Sequence, residues 1–246
     1  MPEQTNIPSD PEIISNMQHE GIVTEPLLPG YPRFPMLMFS SSHMTEHHHF
    51  REALQDVWTA RFSDNPCVHY PEVDARPGRR LDNQFVAEFA NKIETLTEPT
   101  VLLVNLGDNN LTSRGYRGLR HNCAQILTTA VDILELHSKS EHLLMFLGLM
   151  PRWSHTRLQV DQHVRVEKDL FDAISGYINE GPAGPRLGCE PSTRWFMVGD
   201  HLIRDNFEND GVHLTRQGAQ NLARGCLVSA NQLVANYRSY LKELDN

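Results

Sequence analysis

The segment Thr100-Val101-Leu102-Leu103-Val104-Asn105-Leu106 is the strongest indication of the fold in this 246-residue chain. A short run that is almost entirely Val and Leu, followed at once by Gly107, is typical of a strand buried on both faces of a sheet. Such strands occur in parallel sheets whose two faces are covered by helices. The segment therefore predicts an α/β fold.

Similar apolar runs alternate with amphipathic segments along the rest of the chain. The predicted strands are 35–39, 67–70, 100–106, 142–149 and 194–198, and the predicted helices are 45–62, 83–96, 119–136, 158–178 and 215–241. Residues 34–246 are therefore expected to form one three-layer α/β/α sandwich with a five-stranded parallel sheet. Residues 1–33 are polar, acidic and rich in Pro, and we expect them to be a flexible leader or linker.

The composition limits the classes of function. The chain is 39% hydrophobic, which is enough for an ordinary core, and no apolar run approaches the roughly 18 residues of a membrane span. The net charge of -9 argues against a generic nucleic-acid binder. Its four cysteines, Cys67, Cys123, Cys189 and Cys226, are widely spaced, which predicts reduced thiols and an intracellular, cytoplasmic protein.

Four short segments carry residues suited to nucleophilic catalysis. Ser40-Ser41-Ser42 follows the first predicted strand, Gly78 lies beyond the second, and Gly107-Asp108-Asn109-Asn110 follows the third. Asp210 and His213 are three residues apart, just before the last predicted helix. A carboxylate can orient an imidazole, which then accepts the proton of a serine hydroxyl. Each segment could equally be an ordinary helix cap, a turn or a chance surface pair.

In combination, the segments resemble the sequence blocks of the SGNH hydrolases, also called GDSL-type esterases. Those blocks are strand-Gly-Asp-Ser, a Gly, Gly-x-Asn-Asp, and Asp-x-x-His before the last helix. The resemblance implies a flavodoxin-like strand order and a Ser42, Asp210 and His213 triad. It also implies an oxyanion hole formed by Ser42, Gly78 and Asn109, an ester or acetyl substrate, and no cofactor.

Two positions depart from the blocks. Ser40-Ser41 stands where the family has Gly-Asp, which adds a side chain at a tight turn and removes a carboxylate that helps to fix the loop. Asn110 stands where the third block has Asp, which changes the charge but keeps hydrogen-bonding capacity.

The basic residues suggest an alternative function. Of the 22 basic residues, 18 are Arg, and several fall in loops on the predicted ligand side of the sheet. The candidates for binding substrate or RNA are Arg76, Arg79, Arg80, Arg114, Arg117 and Arg152. The alternative is a catalytically impaired SGNH-like module that binds RNA or another polyanion. It would be similar to the RNA-associated branch of the family, which includes the C-terminal domain of the germ-plasm protein Oskar and retrotransposon esterase domains. A solvated surface with local ion pairs accounts for the same residues, and a structural or assembly protein with this fold is a third alternative.

A cluster of histidines raises the question of a metal site. His43 and His47 are four residues apart and would share one face of a helix, but His47-His48-His49 point in three directions. No carboxylate or thiol clearly completes a coordination sphere, so we expect no metal and interpret these histidines as the solvated start of a helix.

Overall fold

The computed structural model of the chain describes residues 33–45, 49–62, 67–110, 121–126, 128–129, 132, 142–151, 157–180, 184–198 and 201–245. The expected leader, apart from residue 33, and half of the predicted helix 119–136 lie outside the described residues. Within the described part, no helix is both long and apolar enough to cross a membrane.

The centre of the fold is a parallel sheet. The described residues form five parallel strands: β1 (Met36–Ser40), β2 (Glu72–Ala75), β3 (Val101–Asn105), β4 (Leu143–Leu147) and β5 (Leu187–Glu190). Their order in the sheet is β2-β1-β3-β4-β5. Because β1, β3 and β4 lie inside the sheet, every residue of these strands is buried. The predicted five-stranded parallel sheet of flavodoxin-like order is confirmed.

Helices cover both faces of the sheet, which gives three layers. The named helices are α1 (Phe50–Arg61), α2 (Asn83–Glu94), α3 (Arg157–Glu180) and α4 (Arg216–Leu244). Side chains alternate along a strand, so Met36 and Met38 of β1 join the core under α1 and α4. Leu37 and Phe39 point the other way and join the core under α2 and α3. The strands therefore place their carboxyl ends at one edge, between two packed helical layers.

The helix α4, the longest in the described part of the chain, agrees closely with its prediction. Thr215 caps its first turn, because the Thr215 hydroxyl accepts a hydrogen bond from the Gly218 N–H at 3.2 Å. One stripe of the helix is buried, consisting of Ala219, Leu222, Ala223, Cys226, Ala230, Leu233, Val234 and Tyr237. The cap fixes where the helix starts, and hence where the loop that carries His213 must end.

The two edge strands differ from their predictions. The predicted strand 67–70 is wrong, because β2 is Glu72–Ala75 and Val68 forms only an isolated bridge with Phe34. Each edge strand has a single neighbour and is only partly buried, so neither has the continuous apolar sequence of an inner strand.

The predicted strand 194–198 is also wrong, because β5 is Leu187–Glu190. Residues Ser192–Trp195 form a 3-10 helix instead. Met197–Val198 (β6) pairs with His201–Leu202 (β7) in a small antiparallel ribbon. Residues 194–198 are largely apolar because Phe196 lies in a turn that packs into the core, and not because they form a strand of the parallel sheet.

Candidate active site

The carboxyl ends of three inner strands are tied together by side chains. Ser40 ends β1 and pairs with Asn105, which ends β3. The Ser40 hydroxyl donates to Asn105 Oδ1 at 3.3 Å, and Asn105 Nδ2 donates to the carbonyl of Gly148, just after β4, at 2.8 Å. Ser40 is fully buried. The side chain that replaces the expected Gly is therefore accommodated as a cross-strand link.

The serine turn, Ser41 to Thr45, is held by interior contacts on both sides of Ser42. The Ser41 hydroxyl donates to Asp108 Oδ1 at 3.3 Å, and His43 Nε2 lies 3.2 Å from Asp108 Oδ2. Ser41 and His43 are fully buried, whereas Ser42 is half-buried. The prediction that His43 lies at a solvated helix start is wrong, because Asp108 draws its ring inward and α1 begins only at Phe50. His47 and His48 lie outside the described residues.

Gly78 lies in the exposed loop between β2 and α2, and its backbone conformation favours glycine. Its φ is +69°, a left-handed conformation that costs glycine little and other residues more. The loop is anchored on its inner side by Arg79, whose backbone carbonyl accepts a hydrogen bond from Asn109 Nδ2 at 3.0 Å. The two segments expected to supply oxyanion donors are thus in direct contact.

The turn after β3 gives its two asparagines different tasks. Gly107, at φ +121°, allows the chain to bend immediately after the strand. Asn110 binds the backbone of Leu81 twice, accepting from its N–H at 2.9 Å and donating to its carbonyl at 2.8 Å. Asn109 is half-buried beside it. The Asn that replaces the expected Asp therefore fastens the third-strand turn to the loop after β2.

Asp210 and His213 form a hydrogen-bonded pair within one short loop. Asp210 Oδ1 accepts from the N–H groups of Val212 at 2.8 Å and His213 at 2.9 Å. Its other oxygen, Oδ2, lies 2.5 Å from His213 Nδ1. Partial burial is the largest single influence on the pKa of Asp210 and raises it, but the hydrogen bonds from Val212 and His213 together outweigh it and lower this pKa to about 2.

The protonation state of Asp210 decides which ring nitrogen of His213 carries the proton and which can act as a base. A carboxylate with so low a pKa is an acceptor at neutral pH, so the proton between the two residues belongs to Nδ1 of the imidazole. In the neutral ring the lone pair then lies on Nε2. The His213 side chain is 32% exposed, so the ring is partly open to solvent. The pair is thus arranged to accept a proton at Nε2.

The serine turn and the His213 loop lie next to each other. The ring centroids of His43 and His213 are 6.4 Å apart, and His43 directly follows Ser42. Two loops from opposite ends of the chain are therefore neighbours at the carboxyl edge of the sheet. All five residues expected to form the triad and the oxyanion hole belong to loops at this edge.

The candidate arginines separate into different environments. Arg79 is buried; its guanidinium donates to Asp74 Oδ2 and Glu88 Oε2, both at 3.0 Å, and lies 5.1 Å from the centroid of the Phe85 ring. Arg76 is exposed but pairs with the same two carboxylates, and Arg80 is exposed. Arg114, Arg117 and Arg152 lie outside the described residues. In the loop 76–80, the positive charges of Arg76 and Arg79 are thus largely neutralised by Asp74 and Glu88.

Sequence reasoning misses two residues of the site. Asp108 occupies the variable position x of the Gly-x-Asn-Asp block, so the block assigns it no role. In the structure its carboxylate binds the serine turn. The sequence predicts a ligand contact for Arg79, although this residue anchors a loop from inside. For Asp108, the sequence does offer a signal, because this aspartate directly follows a buried strand and Gly107. Residues in that position lie at the ligand-binding edge of a parallel sheet. Nothing in the local sequence distinguishes Arg79 from Arg80.

Comparisons with known proteins identify the fold. No protein-family model matches the chain, and no curated protein matches it. Solved structures do resemble it. A carbohydrate esterase of family 3 from Talaromyces cellulolyticus superposes with a TM-score of 0.55 at 13% identity, covering 82% of this chain and 99% of that one. The chain has the fold of the SGNH, or GDSL-like, hydrolases.

Two further structures give the same result. A GDSL-like lipase from Bacteroides thetaiotaomicron has a TM-score of 0.50 at 15% identity, covering 81% of this chain and 87% of its own. The α/β hydrolase LAE5 from the metagenome of Lake Arreo has a TM-score of 0.52 at 13% identity, covering 82% and 98%. The structural similarity establishes the fold. Because the sequence identities are this low, the reaction must be inferred from the residues of this chain.

Proposed function

We propose that the protein is a serine hydrolase that cleaves carboxylic esters, with Ser42 as nucleophile, His213 as general base and Asp210 as the orienting carboxylate. The single observation that carries this proposal is the Asp210–His213 pair, in which Nδ1 lies 2.5 Å from the carboxylate, beside the turn that bears Ser42. The esterase and lipase names of the fold neighbours support an ester as the substrate class.

The first chemical step is acylation. The Ser42 hydroxyl gives its proton to His213 Nε2 while Ser42 Oγ forms a bond to the ester carbonyl carbon, and the carbonyl electrons move onto oxygen. The resulting oxyanion is bound by Asn109 Nδ2 and by the backbone N–H groups of Ser42 and Gly78. The carbonyl then re-forms, the bond to the alcohol oxygen breaks, and the alcohol leaves with the proton from the His213 imidazolium.

The second step is deacylation by water. His213 Nε2 takes a proton from water, whose oxygen attacks the Ser42 acyl ester, and the same three donors bind the second oxyanion. Collapse of this intermediate releases the carboxylic acid and returns the proton to Ser42 Oγ. Asp210 keeps its negative charge throughout and stabilises the imidazolium that forms in each step.

The test is turnover of an acetyl or short-chain aryl ester by the wild-type protein and by Ser42→Ala. We expect Ser42→Ala to abolish turnover while the far-UV and near-UV circular dichroism remain those of the wild type. Ser239→Ala is the matched control, because Ser239 is an exposed residue on α4 whose hydroxyl donates to the carbonyl of Ala235. Equal turnover by wild type and Ser42→Ala rejects the assignment of Ser42.

A further inference from the structure

Asp108 is placed to hold both neighbours of the nucleophile at once. Its carboxylate accepts from the Ser41 hydroxyl at 3.3 Å and lies 3.2 Å from His43 Nε2, so the residues before and after Ser42 share one partner. Asp108 itself is only 2% exposed, and Ser41 and His43 are fully buried. Because Ser41 and His43 are both held by Asp108, the residue between them, Ser42, has little freedom to move.

The interior position of these groups argues for a specific role, since burying a carboxylate is costly unless it is hydrogen-bonded. The same space could hold an apolar side chain without that cost. What the carboxylate provides that an apolar residue cannot is direction, because hydrogen bonds fix the orientation of the Ser41 and His43 side chains. The Ser42 carbonyl is fixed as well, accepting from the Thr45 hydroxyl at 2.8 Å.

Asp108 also connects the nucleophile to the oxyanion donor. The next residue, Asn109, carries the side chain assigned to the oxyanion hole, and its Nδ2 is already tied to the Arg79 carbonyl. A single turn after β3 thus touches the serine turn through Asp108 and supplies a donor through Asn109. Catalysis depends on the relative position of these groups, and a displacement of about 1 Å can cost on the order of a hundredfold in rate.

We propose that Asp108 is a positioning residue, which sets the nucleophile Ser42 against the oxyanion donor Asn109 by binding Ser41 and His43 on either side of the serine. The proposal rests on the proposed function. It also gives a reason why Ser41 is tolerated at a position where the related sequence blocks have a carboxylate. Here the carboxylate comes from across the turn, at position 108, and Ser41 supplies the hydroxyl that meets it.

The experiment is a cycle of Asp108→Asn, Ser41→Asp and the double variant, with kcat and KM for an acetyl aryl ester and the thermal midpoint measured for each. Asp108→Asn keeps the shape but replaces one acceptor oxygen with a donor, so we expect kcat to fall by about tenfold to a hundredfold with little change in KM. Ser41→Asp alone places two carboxylates side by side, and we expect it to lower both kcat and the thermal midpoint. In the double variant the carboxylate and its partner exchange sides, so part of the lost kcat should return.

Asp82→Asn is the matched control. Asp82 lies in the neighbouring loop and caps α2 by accepting from the Phe85 N–H at 3.0 Å, a role that Asn fills equally well. We expect its kcat to equal that of the wild type.

The outcomes separate the two proposals. Wild-type kcat in Asp108→Asn, or a double variant no better than the worse single variant, overturns the positioning role. A wild-type protein that neither turns over ester nor reacts at Ser42 rejects the proposed function, and with it the catalytic part of the inference. Coupling between positions 41 and 108 in the thermal midpoints then shows whether the carboxylate still holds the serine turn.

Discussion

The serine turn after β1 is largely buried and is held by Asp108 from the turn after β3, whereas the Asp210–His213 pair is partly exposed and held within one short loop. The partners of the serine turn lie 65 to 67 positions away in sequence, and those of Asp210 two or three. The acid–base half of the site is therefore a local structure that could exist on many scaffolds. The nucleophile half exists only when β1 and β3 are correctly paired, so its geometry and the stability of the fold are linked.

The largest expected effect lies in the exposed loop and separates activity from stability. His213→Ala removes the general base, and we expect kcat to fall by at least about a hundredfold. Because the side chain is 32% exposed and its partner is in the same loop, the Tm should remain that of the wild type. His69→Ala, at another exposed histidine, is the control and should change neither quantity. A large fall in Tm for His213→Ala would contradict the local character of this loop.

Substitutions of Asn109 and Asn110 separate activity from stability in the part of the site that contains the nucleophile. Asn109→Ala should lower kcat by about a hundredfold or more, because an oxyanion donor is lost, with a smaller effect on stability. Asn110→Ala should lower the free energy of unfolding by about 1–3 kcal/mol, because the Leu81 N–H loses its partner. Urea unfolding and ester kinetics on both variants provide the measurement, and the same pattern in both variants would show that the two asparagines do not have separate tasks.

Arg79 and Arg76 sharpen the contrast between buried and exposed contacts. Arg79→Ala leaves Asp74 and Glu88 without their buried partner, and breaking such pairs costs roughly 3–5 kcal/mol. Both carboxylates are partly exposed, so we expect the lower end of that range. Arg76→Ala removes a surface pair and should cost less than about 1 kcal/mol. Equal losses in urea unfolding would contradict the structural role assigned to Arg79.

The smallest expected effect is a pH dependence of the stability that arises from Glu167, a residue away from the serine turn. Glu167 on α3 is buried and accepts from the Ser192 N–H at 2.9 Å and the Thr193 hydroxyl at 2.7 Å. Burial raises its pKa to about 7, although these hydrogen bonds oppose the shift. Between about pH 4.5 and pH 7 the unfolded chain loses this proton while the folded protein retains it, so stability falls as pH rises.

Glu167→Gln removes that pH dependence. We expect the free energy of unfolding of the wild type to decrease by up to about 3 kcal/mol across this interval relative to the variant, and to level off above it. Glu88→Gln is a useful comparison, because hydrogen bonding to Arg79 lowers the pKa of Glu88 and the sign of its contribution is opposite. Parallel curves for wild type and Glu167→Gln would show that Glu167 does not titrate in this range.

Local and periodic patterns in the sequence are sufficient to predict part of the molecule. The inner strands β1, β3 and β4 are predictable because short, continuous apolar runs between turn residues are typical of strands buried on both faces. The helix α4 is predictable because a polar cap precedes a long apolar stripe. The Asp210–His213 pair is recognisable because a separation of three residues largely fixes its geometry. The edge strands β2 and β5 are misplaced because partial burial leaves their composition mixed.

Contacts between distant residues cannot be predicted from the sequence. The inward turn of His43 depends on Asp108, and the interior position of Arg79 depends on Asp74, Glu88 and two phenylalanine rings. No spacing in the chain indicates either contact. The polyanion-binding alternative requires the arginines of the loop to face solvent unpaired, and the described residues give it no specific support. The functions of Arg114, Arg117 and Arg152 stay predictions.

The most direct test of the account is reaction with a fluorophosphonate probe, followed by peptide mapping of the labelled residue. The three consecutive serines make the location decisive, because Ser40 and Ser41 are fully buried and engaged with Asn105 and Asp108. We expect one adduct per chain, on Ser42, that is absent from Ser42→Ala and strongly slowed in His213→Ala. A folded protein that remains unlabelled, or an adduct on another serine that persists in Ser42→Ala, would contradict the proposal that this site is a serine hydrolase centre.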